Sequence, residues 1–464
     1  MKSDIIIKKV EIAITSHKNR VPLKFGHEIT TASKYCRAYI TVEDLSGNQM
    51  IGVGETPVAV AWTWPSSLTF SQREERMVEF CNMLCEAWNN YKVSGHPMDI
   101  GYTFIIDVLP NVLKEENNLH PNQEDMPYLS ALVCNSLFDI ALYDAFGKLN
   151  DISAYDCFTP KYMNHDLAWY YNYDAKEKSQ KDEYNSKFGG KYPDQYFVKD
   201  VPTELPVWHL VGGTDPLEKE DLKGDEPNDG IPVLLRDWIR EDGLKCLKIK
   251  LRGNDAEWDY DRIVHVGKIA LETGVTHLTA DFNCTVYEPN YVNIILDKLK
   301  EEYPVIWDMI LYIEQPFPYD MEKYPIDVHS LSERKLLLMD ESAHDWHFVQ
   351  LGMKLGWTGV ALKTCKTFTG AILSFCYAKE ANLALMVQDL TNPGLAMMPH
   401  ASLAAHVGTI MGVESNGSQF CPGASDKERK IHPGLFKRHN GVISIASLGK
   451  TGFGYRLDEI EKEA

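Results

Sequence analysis

Residues 244–253 read LKCLKIKLRG, a short apolar run bounded by Asp242-Gly243 and Gly253-Asn254. Such a run between turn residues reads as a β-strand. Side chains alternate along a strand, so Leu244, Cys246, Lys248 and Lys250 share one face, and Lys245, Leu247, Ile249 and Leu251 the other. Two ammonium groups on one face of a buried strand repel each other, which suggests a chemical use. A lysine acting as general base near neutral pH must be unprotonated part of the time, and a free amine with a pKa of about 10.4 is too basic. A neighbouring cation disfavours the charged form and lowers that value. On this reading Lys248 tunes Lys250.

Other strand-like runs end in residues that fit the same chemistry. HLTADFN ends in Asp281-Phe282-Asn283, MILYIEQP in Glu314-Gln315-Pro316, RKLLLMDES in Asp340-Glu341-Ser342, and TGVALKTCK in Lys363-Thr364-Cys365-Lys366. Three carboxylates delivered to one rim would repel each other unless a cation lay between them. The donors are hard oxygens with no histidine- or cysteine-rich set beside them, so Mg²⁺ is the expected ion and zinc is not.

The elements that must position these residues form an α/β pattern. From about residue 204, eight strand-like runs alternate with helical patterns such as DYDRIVHVGKIALETG and TGAILSFCYAKEAN, which implies a parallel sheet and, with eight strands, a closed barrel. Residues 1–150 read as an α+β domain: IIIKKVEIAI, a polar loop, YCRAYITVED and MIGVGET around a Ser-Gly-Asn turn, then helices at about 71–90 and 129–148. Residues 151–203 are rich in Tyr, Lys and Asp without a clear period, and read as an insertion forming an ordered contact surface. No glycine-rich phosphate loop follows any strand.

Composition sets further bounds. The net charge of −19 argues against a nucleic-acid partner. No apolar run reaches the roughly 18 residues of a membrane span, and the charged N-terminus reads as a strand rather than a secretory signal. Ten cysteines without a CxxC pair suggest buried thiols in a reducing compartment, so a cytoplasmic location is expected.

Taken together, KIK, DFN, IEQPF, MDES and LKTCK, in this order, resemble the enolase superfamily, most closely its muconate-lactonizing subgroup. IALYDAFGK is similar to that family's helix between cap and barrel, and GFGYRLDE to its C-terminal return to the cap. The resemblance implies a modified TIM barrel, (β/α)7β, over 204–420, with an α+β capping domain built from 1–150 and the tail 421–464. It implies Asp281, Glu314 and Asp340 as Mg²⁺ ligands, Lys250 and Lys366 as an acid/base pair on opposite faces of the substrate, and Lys248 as a tuning and carboxylate-binding residue. Asn283 and Glu341 would stand next to them. The implied reaction is abstraction of a proton α to a carboxylate through a metal-stabilised enediolate.

Departures narrow the branch. The sixth strand offers Lys366 and the seventh ends Val387-Gln388-Asp389, which argues against the His–Asp dyad of the mandelate-racemase and sugar-acid-dehydratase branches. The eighth-strand stretch Val413-Glu414-Ser415-Asn416-Gly417 replaces the Asp-x-Asp segment of dipeptide epimerases, leaving Glu414 and Asp389 as candidate substrate contacts. Two cap loops are candidates for substrate choice: Ser16 to Thr31, with Lys18, Arg20, Lys24 and His27, and Glu55 to Ser66, with Trp62 and Trp64. His400 and His406 read as structural helix residues, while His344 and His347 stay open. The expectation is a racemase or epimerase with two opposed lysines, acting on a small carboxylate in a homo-oligomer. The alternatives are a cycloisomerase or syn-dehydratase, and a non-catalytic binding or assembly protein of the same fold.

Overall fold

The computed structural model describes residues 3–25 and 28–462 of the 464-residue chain. Strands β1 (Ile5–Phe25), β2 (Glu28–Asp44), β3 (Gln49–Pro57) and β4 (Ser94–Gly95) form an antiparallel sheet ordered β3-β2-β1-β4. Alternation along β2 buries Cys36, Ala38, Ile40 and Val42 on one face. This sheet packs against the helix Tyr128–Leu149. That helix is long and apolar enough to cross a membrane by length and composition, yet it is buried inside the protein. Being apolar on every side, it is the central element of a core. Glycines let the sheet reach it: a Cβ on Gly52 would lie 2.0 Å from the Ala141 carbonyl oxygen, and one on Gly54 2.1 Å from that of Leu137.

The eight strands of the barrel are β5 (Glu204–Val211), β6 (Cys246–Lys250), β7 (His277–Asp281), β8 (Ile310–Glu314), β9 (Leu336–Met339), β10 (Gly359–Leu362), β11 (Ala384–Val387) and β12 (Val413–Glu414). β5 to β11 pair in chain order, all parallel, and β12 returns beside β5. The remaining gap is bridged where Ile410 N donates to Leu385 O at 2.8 Å. Helices lie between successive strands, giving seven strand–helix units and a closing strand. Trp208, Cys246, Tyr312, Leu338 and Met386 fill the interior as one layer, so the barrel has a packed floor instead of a pore. The short strand β13 (Val442–Ser444) runs antiparallel to β5, after which the chain returns to the cap: Phe453 N donates to Asp144 Oδ1 of the central helix at 3.2 Å.

The polar loop expected at Ser16–Thr31 is corrected. β1 and β2 continue through its described residues as a two-stranded ribbon, with Lys18 opposite Ala32 and Lys24 opposite Ile29. The ribbon has neither face fully buried, so its sequence carries no hydrophobic alternation; backbone pairing holds its two strands together, and Arg20 ties it to Asp229. His27 lies outside the described residues. The Glu55–Ser66 stretch is likewise the end of β3 followed by the helical turn Val60–Thr63. The helices between Pro97 and Leu119 had no counterpart in the sequence reading.

Residues 151–203 fold as ordered structure, with helices Leu167–Asn172 and Lys178–Phe188. Their tyrosines tie the cap to the barrel. Tyr170 Oη donates to Asp99 Oδ1 at 2.5 Å, and Tyr171 Oη to Leu373 O at 2.8 Å. The Tyr171 ring also packs on Trp346, at 4.9 Å between centroids. An ionic clasp adds to this, with His347 lying 3.0 Å from Asp174 and 3.1 Å from Asp345. Burial depresses the His347 pKa, but the two carboxylates outweigh it and lift it to about 9. A raised pKa means that the protonated form stabilises the fold below the ordinary histidine value, and that this contribution fades as pH rises through about 9. The variant Asp174→Asn is therefore expected to lower Tm most at pH 6, with the gap to wild type shrinking towards pH 9.5 in a thermal-melt series; a gap independent of pH would contradict the clasp.

Candidate active site

The layer above the barrel floor is built from the C-terminal ends of the strands. Inward alternation on β6 carries Lys248 and Lys250 into the interior, above Cys246. Lys248 is buried at 2% exposure and its ammonium is surrounded by carboxylates: 2.6 Å from Glu314 Oε1, 3.1 Å from Asp281 Oδ2 and 3.2 Å from Glu414 Oε2. Lys250 meets the same Asp281 oxygen at 2.5 Å. Burial pulls the Lys248 pKa down, but the acids from β7, β8 and β12, with Asp340, hold it well above the ordinary lysine value. Lys248 is thus a fixed cation. Asp281, pressed by burial but flanked by Lys250 and Lys248, is held below the usual carboxylate range.

The next strand ends complete a ring. Gln388 Nε2 donates to Glu314 Oε2 at 2.8 Å and to Tyr312 Oη at 2.8 Å. Gln315 Oε1 accepts from Asp340 N at 2.8 Å and from Ser342 Oγ at 2.8 Å, which fixes the end of β9. Asn283, Cys284 and Gln315 have φ of 49°, 64° and 31°. Left-handed backbone at non-glycine residues is costly, and its clustering at these strand ends is typical of functional sites. Asn283 itself turns its N–H back onto Asp281 Oδ1 at 2.9 Å. The structure therefore brings Lys248, Lys250, Asp281, Asn283, Glu314, Asp340, Glu341, Asp389 and Glu414 to one rim. Trp62 reaches it from the cap, donating from Nε1 to Glu341 Oε1 at 2.9 Å. Of the candidate ribbon cations, Lys24 lines the cavity, whereas Arg20 is held away by Asp229, Nε to Oδ2 at 2.7 Å. Of the histidines left open, His344 is buried against Phe348, and His347 belongs to the clasp.

Lys366, the expected second base, and its neighbour Lys363 both ion-pair with Asp340. Both are buried. Lys363 follows Ala361 by two residues and so continues the inward face of β10; it lines the cavity, with its ammonium 3.0 Å from Asp340 Oδ2 and 2.8 Å from Asp389 O. Lys366 sits at the end of the 3-10 turn Thr364–Lys366, with its ammonium 5.6 Å from the centre of the Trp62 ring. Its ammonium donates to the Asp340 carbonyl and lies 3.4 Å from Asp340 Oδ1. The signal that singles out Lys363 was present as strand alternation, but it holds only if the strand ends before Thr364.

A cavity of about 90 Å³ lies above this rim, between the barrel and the cap. β6 and β10 stand four places apart among the eight strands, so Lys250 and Lys363 enter from opposite walls.

Residues 232–461 match the family model described as enolase C-terminal domain-like. The barrel of this chain belongs to the enolase superfamily. Solved structures agree in fold along nearly the whole chain. A mandelate racemase/muconate lactonizing protein from Herpetosiphon aurantiacus is 16% identical over 97% of each chain, with a TM-score of 0.58. A dipeptide epimerase from Enterococcus faecalis V583, complexed with Mg and L-Leu-L-Tyr, is 14% identical over 97% of this chain and 99% of its own, with a TM-score of 0.60. The L-Ala-D/L-Glu epimerase from Bacillus subtilis is 16% identical over 89% of this chain and 91% of its own, with a TM-score of 0.55. Comparison with curated protein sequences gives no match.

Whether an enolase-superfamily metal suits these residues can be judged from the charges. Six acids (Asp281, Glu314, Asp340, Glu341, Asp389 and Glu414) and four lysines (Lys248, Lys250, Lys363 and Lys366) make up the ring, so acids outnumber amines by two. Glu341 Oε2 is buried and accepts from no N–H or O–H group. Burial, with Asp340 and Asp281 nearby, pushes the Glu341 carboxyl up to about 7. Among the described residues no three acids already form a tight cage, because the lysine ammonium groups stand between them. The hard-oxygen donors and the excess of acids over amines fit a divalent cation such as Mg²⁺. Removing a buried cation leaves uncompensated carboxylates, so Lys248→Met is expected to destabilise the protein by about 3–5 kcal/mol in denaturant unfolding; a loss below about 1 kcal/mol would show that the ring does not depend on it.

Proposed function

We propose that the protein is an enzyme that abstracts a proton α to the carboxylate of a small substrate, with Mg²⁺ held by Asp281, Glu314 and Asp340. When bound, such an ion would supply positive charge for the carboxylate oxygens on which negative charge develops. The observation that carries this reading is the pair of amines entering one cavity from opposite walls, Lys250 on β6 and Lys363 on β10. One amine takes the α-proton from one face, and the other returns a proton to the opposite face, which inverts the carbon. Lys248, kept protonated by three acids, serves as a cation for the substrate carboxylate and not as a base. This modifies the sequence-based assignment, in which Lys366 was the second base. Lys366 instead anchors the end of β9 from behind, through Asp340.

The packed floor and the cap walls keep bulk water from the reacting carbon, which strengthens each charge interaction inside. The second reading is cycloisomerisation or syn elimination, in which one lysine is the base and the other only a cation. It is favoured by the aromatic ring over Lys363, since Trp62 lies 4.5 Å from that ammonium and stabilises its charged form. The cytoplasm remains our placement for the chain, on its free thiols.

Two measurements test the proposal. Incubation in D₂O with a turned-over carboxylate should put deuterium on the α-carbon of both stereoisomers, read by proton NMR. Lys250→Ala and Lys363→Ala should each slow exchange at least a hundredfold, while Lys366→Ala retains the larger share of it. Exchange surviving both of the first two substitutions would end the assignment, and deuteration without inversion would select the second reading. Independently of turnover, Mg²⁺ at about a hundred times its Kd should stabilise the fold by about 2.7 kcal/mol. This shift should vanish in Asp281→Asn and Glu314→Gln, and a wild-type melt indifferent to Mg²⁺ would contradict the ligand set.

A further inference from the structure

The cavity is charged at its floor and apolar along its cap wall. We infer that the substrate is a carboxylate with an uncharged apolar group at its far end and no ammonium group; the inference rests on the proposed reaction only for the statement that the carboxylate meets the floor.

Three carboxylates line the cavity, all at the floor, and each is already bonded by the protein. Asp389 accepts the backbone N–H groups of Leu390 at 2.8 Å, Asn392 at 2.9 Å and Asn416 at 2.7 Å. Glu414 accepts from Lys248 at 3.2 Å, from Asp389 N at 3.1 Å and from Asn416 Nδ2 at 3.2 Å. Asp340 is shared by Lys363 and Lys366. The cap wall is made largely of Phe25, Tyr35, Val58, Val60, Trp62 and Phe70. Among the described residues, its one charged side chain at the cavity is Lys24, which carries the same sign as an ammonium group.

An incoming ammonium group at the cap wall would lose its hydration among apolar side chains and meet Lys24 as its charged neighbour there. A buried unpaired charge is among the costliest arrangements a site can offer. The aromatic faces do not rescue it, because they already serve lysines: Trp62 faces Lys363 at 4.5 Å, and Phe25 faces Lys250 at 6.0 Å. An apolar group on the same wall leaves water without breaking any hydrogen bond.

The test uses two ligands that differ only in the blocked amine, L-alanyl-L-phenylalanine and its N-acetyl derivative. Each is titrated calorimetrically into the full chain with Mg²⁺ present. The acetylated ligand should bind at least about tenfold more tightly. Equal or tighter binding of the free amine overturns the inference, and so does binding of neither. A second variant checks the wall itself. Phe70 is the first residue of the helix Phe70–Asn90, a position where a carboxylate suits the helix end. Phe70→Asp should narrow the gap between the two ligands about tenfold; an unchanged gap in this folded variant also overturns the inference. Failure of the proposed reaction would show differently, as a ligand that binds but gains no α-deuterium, with the binding ratio intact.

Discussion

Closing eight strands into a barrel forces their ends to share one small volume, and in this chain those ends are charged. Lys248 stands among Asp281, Glu314 and Glu414, and everything else at the rim adjusts to that contact. Bringing so many ionised groups out of water is costly, and each must find an opposite charge or a hydrogen bond. Gln388 supplies one such bond to Glu314, and the backbone N–H groups around Asp389 supply several more. The result is a rigid, pre-arranged field above an apolar floor, which is what stabilising charge on a reacting carboxylate requires.

The cap answers a different constraint. Barrel strand ends alone would leave this rim open to water. The β1–β2 ribbon, the end of β3 and the turn carrying Trp62 cover it, and they bring mostly apolar groups. The cap in turn is held by the long buried helix Tyr128–Leu149, by the C-terminal return and by the tyrosine-rich segment 151–203. Division of labour follows: the barrel supplies the charged floor of the cavity, and the cap its mostly apolar wall. The two parts are joined by direct contacts such as Trp62 to Glu341 and Tyr143 to Thr369, so cap position and rim geometry are linked.

Much of this was legible in residue order. Alternation in KIK put Lys248 and Lys250 on one face, and single acids at the ends of consecutive apolar runs pointed to one rim. Barrel strands are short and buried on both sides, and their runs stand out between helical periods. The ribbon was illegible for the opposite reason: it lies at the edge of the core, where no burial pattern is imposed on its side chains. The segment 151–203 lacked a clear period because its tyrosines are buried by neighbours far away in the chain, such as Asp99, Trp346 and Leu373.

Sequence by itself determined the inventory: which strands exist, which of them end in acids or amines, and that their charges must meet around something positive. Tertiary structure decided which amine faces which. Lys363 and Lys366 are both lysines at the end of one strand, three residues apart, and their types cannot separate them. The choice depends on where β10 stops and the 3-10 turn begins, since one further residue of extended chain reverses the direction of every side chain after it. That stopping point is set by packing against Asp340, Asp389 and Trp62, contacts that exist only once the barrel has closed and the cap has docked.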